Sequence, residues 1–151
     1  MQYSSKCSIA IHCLLVIAQF SDDRRVTSQL LARSAGSNPA TIRGIFRQLQ
    51  EADLIHVRRG TGGAYLSRTP DQISIWDIYR AVQPQQERNP LRLHANPLEQ
   101  CPVGKVIHQV LEEPYSRISE AMAQQMKVYT LQMLLERYTQ ISTQTQNTTD
   151  A

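Results

Sequence analysis

The sequence predicts a mainly α-helical, winged helix-turn-helix domain with a small β-hairpin wing, followed by a long C-terminal dimerisation helix. Three observations carry that prediction. Two short helical segments flank Gly36-Ser37, a glycine-rich reversal follows the second of them, and helical apolar spacing returns after a proline-rich gap.

The second short segment organises the rest. Asn38 is a good N-cap, because its side chain can accept a bond from an orphaned backbone N–H, and Pro39 suits the first helical position. Ile42, Ile45, Phe46 and Leu49 then fall at i, i+3, i+4 and i+7, so one face must be buried. Ala40, Arg43, Gly44 and Arg47 land on the opposite side, with no acid before Glu51. Small residues and guanidinium groups suit a groove lined with phosphates and base edges.

The helix is expected to stop near Asp53. Ile55, Val57, Tyr65 and Leu66 then bracket Arg58-Arg59-Gly60-Thr61-Gly62-Gly63, which reads as a basic hairpin. Gly60, Gly62 and Gly63 permit the positive φ angles of a tight reversal and a close approach to a sugar-phosphate strand.

Upstream, Tyr3 to Phe20 reads as a helix buried on most sides, with Ile9, Ala10, Cys13, Leu14, Ile17 and Ala18 at helical spacing. Asp22 to Arg25 form a polar turn, and Val26 is a candidate single strand residue. Thr27 is the next N-cap, with Leu30, Leu31 and Ala35 on one face and Gly36 at the C′ position. The helix-turn-helix reading places the second helix in a major groove, braced by the first.

Downstream of the hairpin, Thr69-Pro70 breaks the strand. Ser74 and Asp77 make a capping box with Ile73 and Ile78 as its staple. Ile75, Ile78, Tyr79 and Val82 form a buried stripe, leaving Trp76 facing sideways. Residues 83–101 contain Pro84, Pro90 and Pro97 with no hydrophobic period, as in a linker loop.

Helical spacing resumes from Pro102 through Val103, Val106, Ile107, Val110 and Leu111, then Tyr115, Ile118, Met122, Gln125 and Tyr129. This apolar face exceeds what one partner domain needs and predicts pairing with a second copy. Pro114 predicts a kink or a break. Thr130 is placed to cap a final helix bearing Leu131, Leu134, Leu135 and Tyr138, and the Ser, Thr and Gln-rich tail from Ser142 is expected to be disordered. The boundaries drawn are 1–82 for the winged domain, 83–101 for the linker, 102–140 for the dimerisation helices and 141–151 for the tail.

Composition narrows the function. The chain has 151 residues, 41% of them apolar, without the run of about 18 apolar residues that a membrane span requires, so no membrane partner is expected. No signal peptide is evident, which places the protein in the cytoplasm. Residues 1–90 carry eleven Lys and Arg against seven Asp and Glu, while residues 91–151 carry five against six. The basic surplus thus sits with the helix and hairpin, as an electrostatic footprint on DNA requires. Three cysteines, Cys7, Cys13 and Cys101, are too few for a secreted disulfide framework.

On these residues the chain resembles the Rrf2 family of bacterial winged-helix regulators, which includes iron-sulfur, nitric-oxide and cysteine-metabolism repressors. The resemblance lies in the opening Tyr3-Ser4-Ser5-Lys6, the turn Gly36-Ser37, Leu49 to Ile55, the wing from Arg58 to Leu66, and the late Cys101 before a long helix. It implies a homodimeric repressor on double-stranded operator DNA. It also implies that residues 38–47, Thr41 among them, touch bases and phosphates, that Arg59 enters the minor groove, and that the long helices of two protomers cross-pair. Cluster-holding members supply three cysteines from the loop before the long helix, where this chain has only Cys101. A cluster-less subgroup is therefore implied, with no cofactor and no metal.

The DNA-binding candidates are Asn38, Ala40, Thr41, Arg43, Gly44, Arg47, Arg58, Arg59, Gly60, Gly62 and Gly63. Three controls of binding stay open. They are a redox thiol, a small molecule held between the winged domain and the long helix, or concentration alone. Cys101 is the leading thiol, with Pro102 expected to begin a helix whose N-terminus favours a thiolate, and Cys13 is the second. No catalytic constellation is present. The four histidines lack a nucleophile or carboxylate at motif spacing, and the wing glycines match no phosphate-binding loop. The rival class is a winged-helix protein-interaction module without DNA binding, against which the exposed arginines argue.

Overall fold

The computed structural model describes residues 5–58, 60, 63–83 and 91–149. Tyr3, Ser4, Arg59, Thr61, Gly62, Pro84 and Pro90, each named above, lie outside the described residues. In chain order the elements are α1 (Lys6–Phe20), α2 (Ser28–Ser34), α3 (Pro39–Glu51), β1 (Ile55–Val57), β2 (Ala64–Leu66), a 3-10 turn at Pro70–Gln72, α4 (Ile75–Val82), α5 (Ile107–Val128) and α6 (Leu131–Thr149). This is a winged helix-turn-helix followed by two long helices.

Local chemistry sets the helix starts. Thr27 Oγ1 accepts from the Leu30 N–H at 3.2 Å and Asn38 Oδ1 from the Thr41 N–H at 2.8 Å. Ser74 Oγ accepts from the Asp77 N–H at 3.2 Å, while Asp77 Oδ2 accepts from the Ser74 N–H at 2.9 Å, which completes the capping box. Caps of this kind each contribute about 1 kcal/mol. Helix ends are equally local. Gly36 adopts φ +59° and the Ser37 N–H donates to the Ala32 carbonyl at 2.9 Å, which turns the chain from α2 into α3.

The core is shared by every part of the winged domain. Ala10, Cys13, Leu14 and Ile17 of α1 meet Leu31 of α2, the Ile42–Ile45–Phe46–Leu49 face of α3, Ile55 and Ala64 of the hairpin, and Ile78 and Val82 of α4. Ile73 and Ile78, the staple pair, are both fully buried. β1 and β2 pair antiparallel with Ile55 opposite Leu66, His56 opposite Tyr65 and Val57 opposite Ala64. Val26 is in no strand, yet its carbonyl accepts from the Ala64 N–H at 3.1 Å and so anchors β2.

The C-terminal helices are stitched to this domain by backbone. The Ile75 N–H donates to the Tyr129 carbonyl at 2.9 Å and the Leu131 N–H to the Ile73 carbonyl at 2.7 Å, around an antiparallel bridge between Ser74 and Thr130. Leu131 has no exposed surface and belongs to the winged-domain core.

Three expectations are corrected here. Residues 102–106 form turns and α5 begins only at Ile107, because Gly104 sits where a Cβ would lie 2.4 Å from the Leu98 carbonyl oxygen and the loop is wound against itself. Pro114 does not break α5, which runs through it as one helix of 22 residues. The carbonyl it leaves unbonded belongs to Val110, which is 59% exposed, so solvent can satisfy it. The tail is helical to Thr149. Ser142, Thr143 and Thr145 donate their hydroxyls to the carbonyls of Tyr138, Thr139 and Ile141 at 2.9 to 3.0 Å, which internalises polar groups that otherwise compete with the helix.

Candidate nucleic-acid interface

The free face of α3 is built as its spacing predicts. Asn38, Ala40, Arg43 and Arg47 are exposed, and Thr41 and Gly44 are half-exposed. A Cβ at Gly44 would meet nothing within 4 Å, so packing does not require glycine there. Arg47 Nε lies 3.8 Å from Glu51 Oε1 with both side chains well exposed. Such a pair is worth little and yields readily to a phosphate.

The wing presents its own cation. The Arg58 guanidinium stands 4.5 Å over the Tyr65 ring, and Tyr65 in turn stacks on His56 at 5.6 Å with 19° between planes. That stack holds Arg58 at the hairpin surface at low entropic cost. Gly60 is exposed at φ +82°, a backbone conformation that favours glycine. Arg59 and Gly62 lie outside the described residues.

Gly63 has a packing role beyond the one its motif suggests. It is buried, and a Cβ there would lie 2.8 Å from the Val26 amide nitrogen and 2.9 Å from the Val26 carbonyl oxygen. Its missing side chain seats the wing on the α1–α2 connection. It therefore also sets the shape of the adjoining groove, whose lining it joins.

That seating creates a groove of about 340 Å³ between α3 and the wing, where Arg25, Arg43, Arg47, Gln50 and Arg58 join Val26 to Ser28 and the apolar contribution of Phe46, Val57, Gly63 and Ala64. Among the described residues, only Arg47 of these four arginines has a carboxylate within ion-pair distance. Sequence reasoning missed Arg25, Ser28 and Gln50. The only signal for Arg25 is its place beside Val26, and that matters only once Val26 is known to lie under Gly63. Arg68 was also missed. Its Nε donates to the Asp53 carbonyl at 3.0 Å and its Nη2 to the Ala52 carbonyl at 2.8 Å, so it closes the C-terminal end of α3, where Asp53 turns the chain at φ +54°.

The thiols separate by burial. Cys13 has no exposed surface, and desolvation pushes its thiol up to about 12, partly offset by a backbone hydrogen bond. Burial also raises the Cys7 thiol, whereas Cys101 is half-buried in the turns before α5. The helix end invoked beside Cys101 starts at Ile107 instead. Cys13 is thus unsuited to thiolate chemistry near neutral pH. With an aromatic disulfide reagent, Cys101 is expected to react in the native state and Cys13 only on unfolding. Native Cys13 also keeps its proton after the unfolded thiol has lost one. Its contribution to stability is therefore complete below about pH 8.5 and falls as pH rises toward 12. Equal native reactivity of the two thiols would contradict this assignment.

Comparison with known proteins agrees with the architecture. The Rrf2 family, described as iron-dependent transcriptional regulators, matches residues 3–137. A Bacillus subtilis protein named as an HTH-type transcriptional regulator, YwnA, is 37% identical over 119 residues, which cover 79% of this chain and 86% of that one. A crystal structure described as that of a DNA-binding protein is 33% identical, with a TM-score of 0.69 over 87% of this chain and 99% of the other. CymR, the global cysteine regulator of B. subtilis, shares the fold at 21% identity and a TM-score of 0.65, over 91% of this chain and 98% of its own. With matches of this extent and a helix, turn, helix and wing in their expected order, the chain belongs to the Rrf2 family of transcriptional regulators.

Proposed function

We propose that this regulator is a sequence-specific DNA-binding repressor that works as a homodimer in the cytoplasm. In this reading α3 lies in the major groove of an operator and the wing rests on the adjacent minor groove. The observation that carries it is the groove between them, which gathers Arg25, Arg43, Arg47 and Arg58. Four cationic side chains converging on one groove fit a polyanion better than a protein surface, whose interfaces are depleted of charge at their core.

Residues 1–82 serve as the DNA-binding part, 83–101 as the connecting loop and 102–140 as the dimerisation part. The support for pairing is the outer face of α5. Val110, Ile118 and Val128 are 59%, 52% and 58% exposed, and α5 has no fully buried residue within the single chain. A second copy would cover that ridge.

Iron is named in the family's description, but the donors here do not fit a cluster or a thiolate metal site. The loop before α5 offers one thiol, Cys101, while Cys7 and Cys13 belong to α1. Among the described residues no three His, Cys, Asp or Glu side chains are grouped to hold an ion. The signal that releases DNA is therefore read as a redox change at Cys101 or a small molecule.

Fluorescence anisotropy of the protein on its own upstream DNA tests the reading. Tight binding is expected, with log K falling against log salt at a slope of about −4 or steeper, since each neutralised phosphate contributes roughly −0.9. Absence of binding even at low salt would favour the interaction-module alternative.

A further inference from the structure

A second cleft lies between α4 and α5, with no residue of α3 in its lining. It has a volume of about 440 Å³ between α4, Leu91 and Leu93 of the loop, and α5. Its walls are mostly apolar and include two aromatic rings, Trp76 and Tyr115. Trp76 is backed by Tyr79, with ring centroids 5.8 Å apart and 18° between planes. Two carboxylates line the same cleft, Glu112 and Glu120. They are eight residues apart on α5, hence about 12 Å along its axis.

The charge in this cleft is one-sided. Among the described residues no Lys, Arg or His lines it. Arg92, between the two leucines, is exposed and forms no part of the lining. Glu113 pairs with Arg117 at 3.6 Å, but among the described residues neither Glu112 nor Glu120 has a cation within ion-pair distance. Glu120 Oε1 accepts from the Ser116 hydroxyl at 3.2 Å, which fixes the carboxylate without neutralising it. Aromatic faces and unneutralised carboxylates both attract a positive charge, and the apolar walls favour a hydrocarbon body attached to it. An acid would be repelled, and a neutral apolar molecule would gain nothing from the two glutamates.

We propose that this cleft binds a small organic cation, an ammonium carried on an aromatic or aliphatic body, and that it is the signal-input site of the regulator. The second half of the proposal rests on the DNA-binding reading above. α4 is the physical link. Its first residue is hydrogen-bonded to the α5–α6 junction through the Tyr129 carbonyl, and Gln48 of α3 donates to the carbonyl of Val82 at its far end, at 3.5 Å. A ligand that alters how Trp76 meets α5 therefore acts on the element that supports the recognition helix.

Trp76 is the chain's single tryptophan, so its fluorescence reports on the cleft directly. The probes are 4-phenylbutylammonium, 4-phenylbutanol and 4-phenylbutyrate, which differ in charge and share a body. The ammonium is expected to change the fluorescence saturably and to bind about tenfold more tightly than the alcohol, with the carboxylate weakest. Glu112→Gln with Glu120→Gln should bring ammonium and alcohol to similar affinity while the circular dichroism stays unchanged. Equal affinity of all three probes for the wild type, or no saturable change, overturns the site. Operator binding with and without saturating ammonium tests the input role. A shift of about fivefold or more that the double variant lacks supports it, and an unchanged affinity overturns it. Should the protein bind no DNA at all, the input role falls with the DNA reading, while the fluorescence result still decides the site.

Discussion

Arg43→Ala combined with Arg58→Ala is expected to weaken operator binding about 100-fold or more while leaving the fold and oligomeric state unchanged. Arg43 is on the free face of α3 and Arg58 is on the wing, so the pair removes one cation from each wall of the same groove. Loss of a base-reading arginine costs about 1 to 3 kcal/mol, and loss of a phosphate contact lowers the salt slope by roughly one. The two effects separate in one experiment. If Arg43 reads a base, its variant should lose discrimination between operator and scrambled DNA; if Arg58 meets phosphate, its variant should weaken both DNAs alike. Neither side chain is buried, and among the described residues neither pairs with a carboxylate, so stability should move by no more than about 1 kcal/mol, the lost contact being that of Arg58 with the Tyr65 ring. Wild-type affinity in the double variant would remove the groove from the mechanism.

The second large effect is on stability. Gly63→Ala should destabilise the native state by about 2 to 3 kcal/mol, because the new methyl would lie 2.8 and 2.9 Å from backbone atoms of Val26. Those atoms cannot swing away as a flexible side chain would. The Val26 carbonyl is also the acceptor for the Ala64 N–H, so relieving the clash loosens the anchor of β2. Gly44→Ala is the matched control. Its Cβ meets nothing within 4 Å, and Ala is favoured over Gly in a helix by about 1 kcal/mol, so this variant should gain stability. Urea unfolding of the two variants side by side gives the answer. A Gly63→Ala protein as stable as wild type would mean that the wing does not sit on Val26 as described.

These two glycines also show what the sequence makes legible. Helix starts were readable because each is settled within four residues, as at Thr27, Asn38 and Ser74. The buried face of α3 was readable because its period is a property of one helix. The packing role of Gly63 was not readable because it is set by Val26, distant in sequence and invisible to any local pattern. Arg25 and Gln50 were missed for the same reason, since the groove is assembled from three separate segments. The start of α5 was misplaced because Val103 and Val106 keep helical spacing while the backbone around Gly104 is turned by its contact with Leu98. Composition misled at the tail, where hydroxyl groups bond back to the helix they were expected to disrupt.

The burial of Leu131 in the winged-domain core carries a consequence for how the protein is made. On a ribosome, the chain up to Val82 emerges with its recognition helix and wing already synthesised, but the pocket that Leu131 fills is still open. The backbone stitch at Ser74 waits for Thr130, 56 residues further along (130 − 74 = 56). At about 5 to 20 residues per second, several seconds separate the appearance of the recognition helix from the completion of the body beneath it. The newborn regulator therefore acquires a finished core only once its C-terminal helices exist, and a chain cut short before that point keeps an apolar gap where Leu131 would sit.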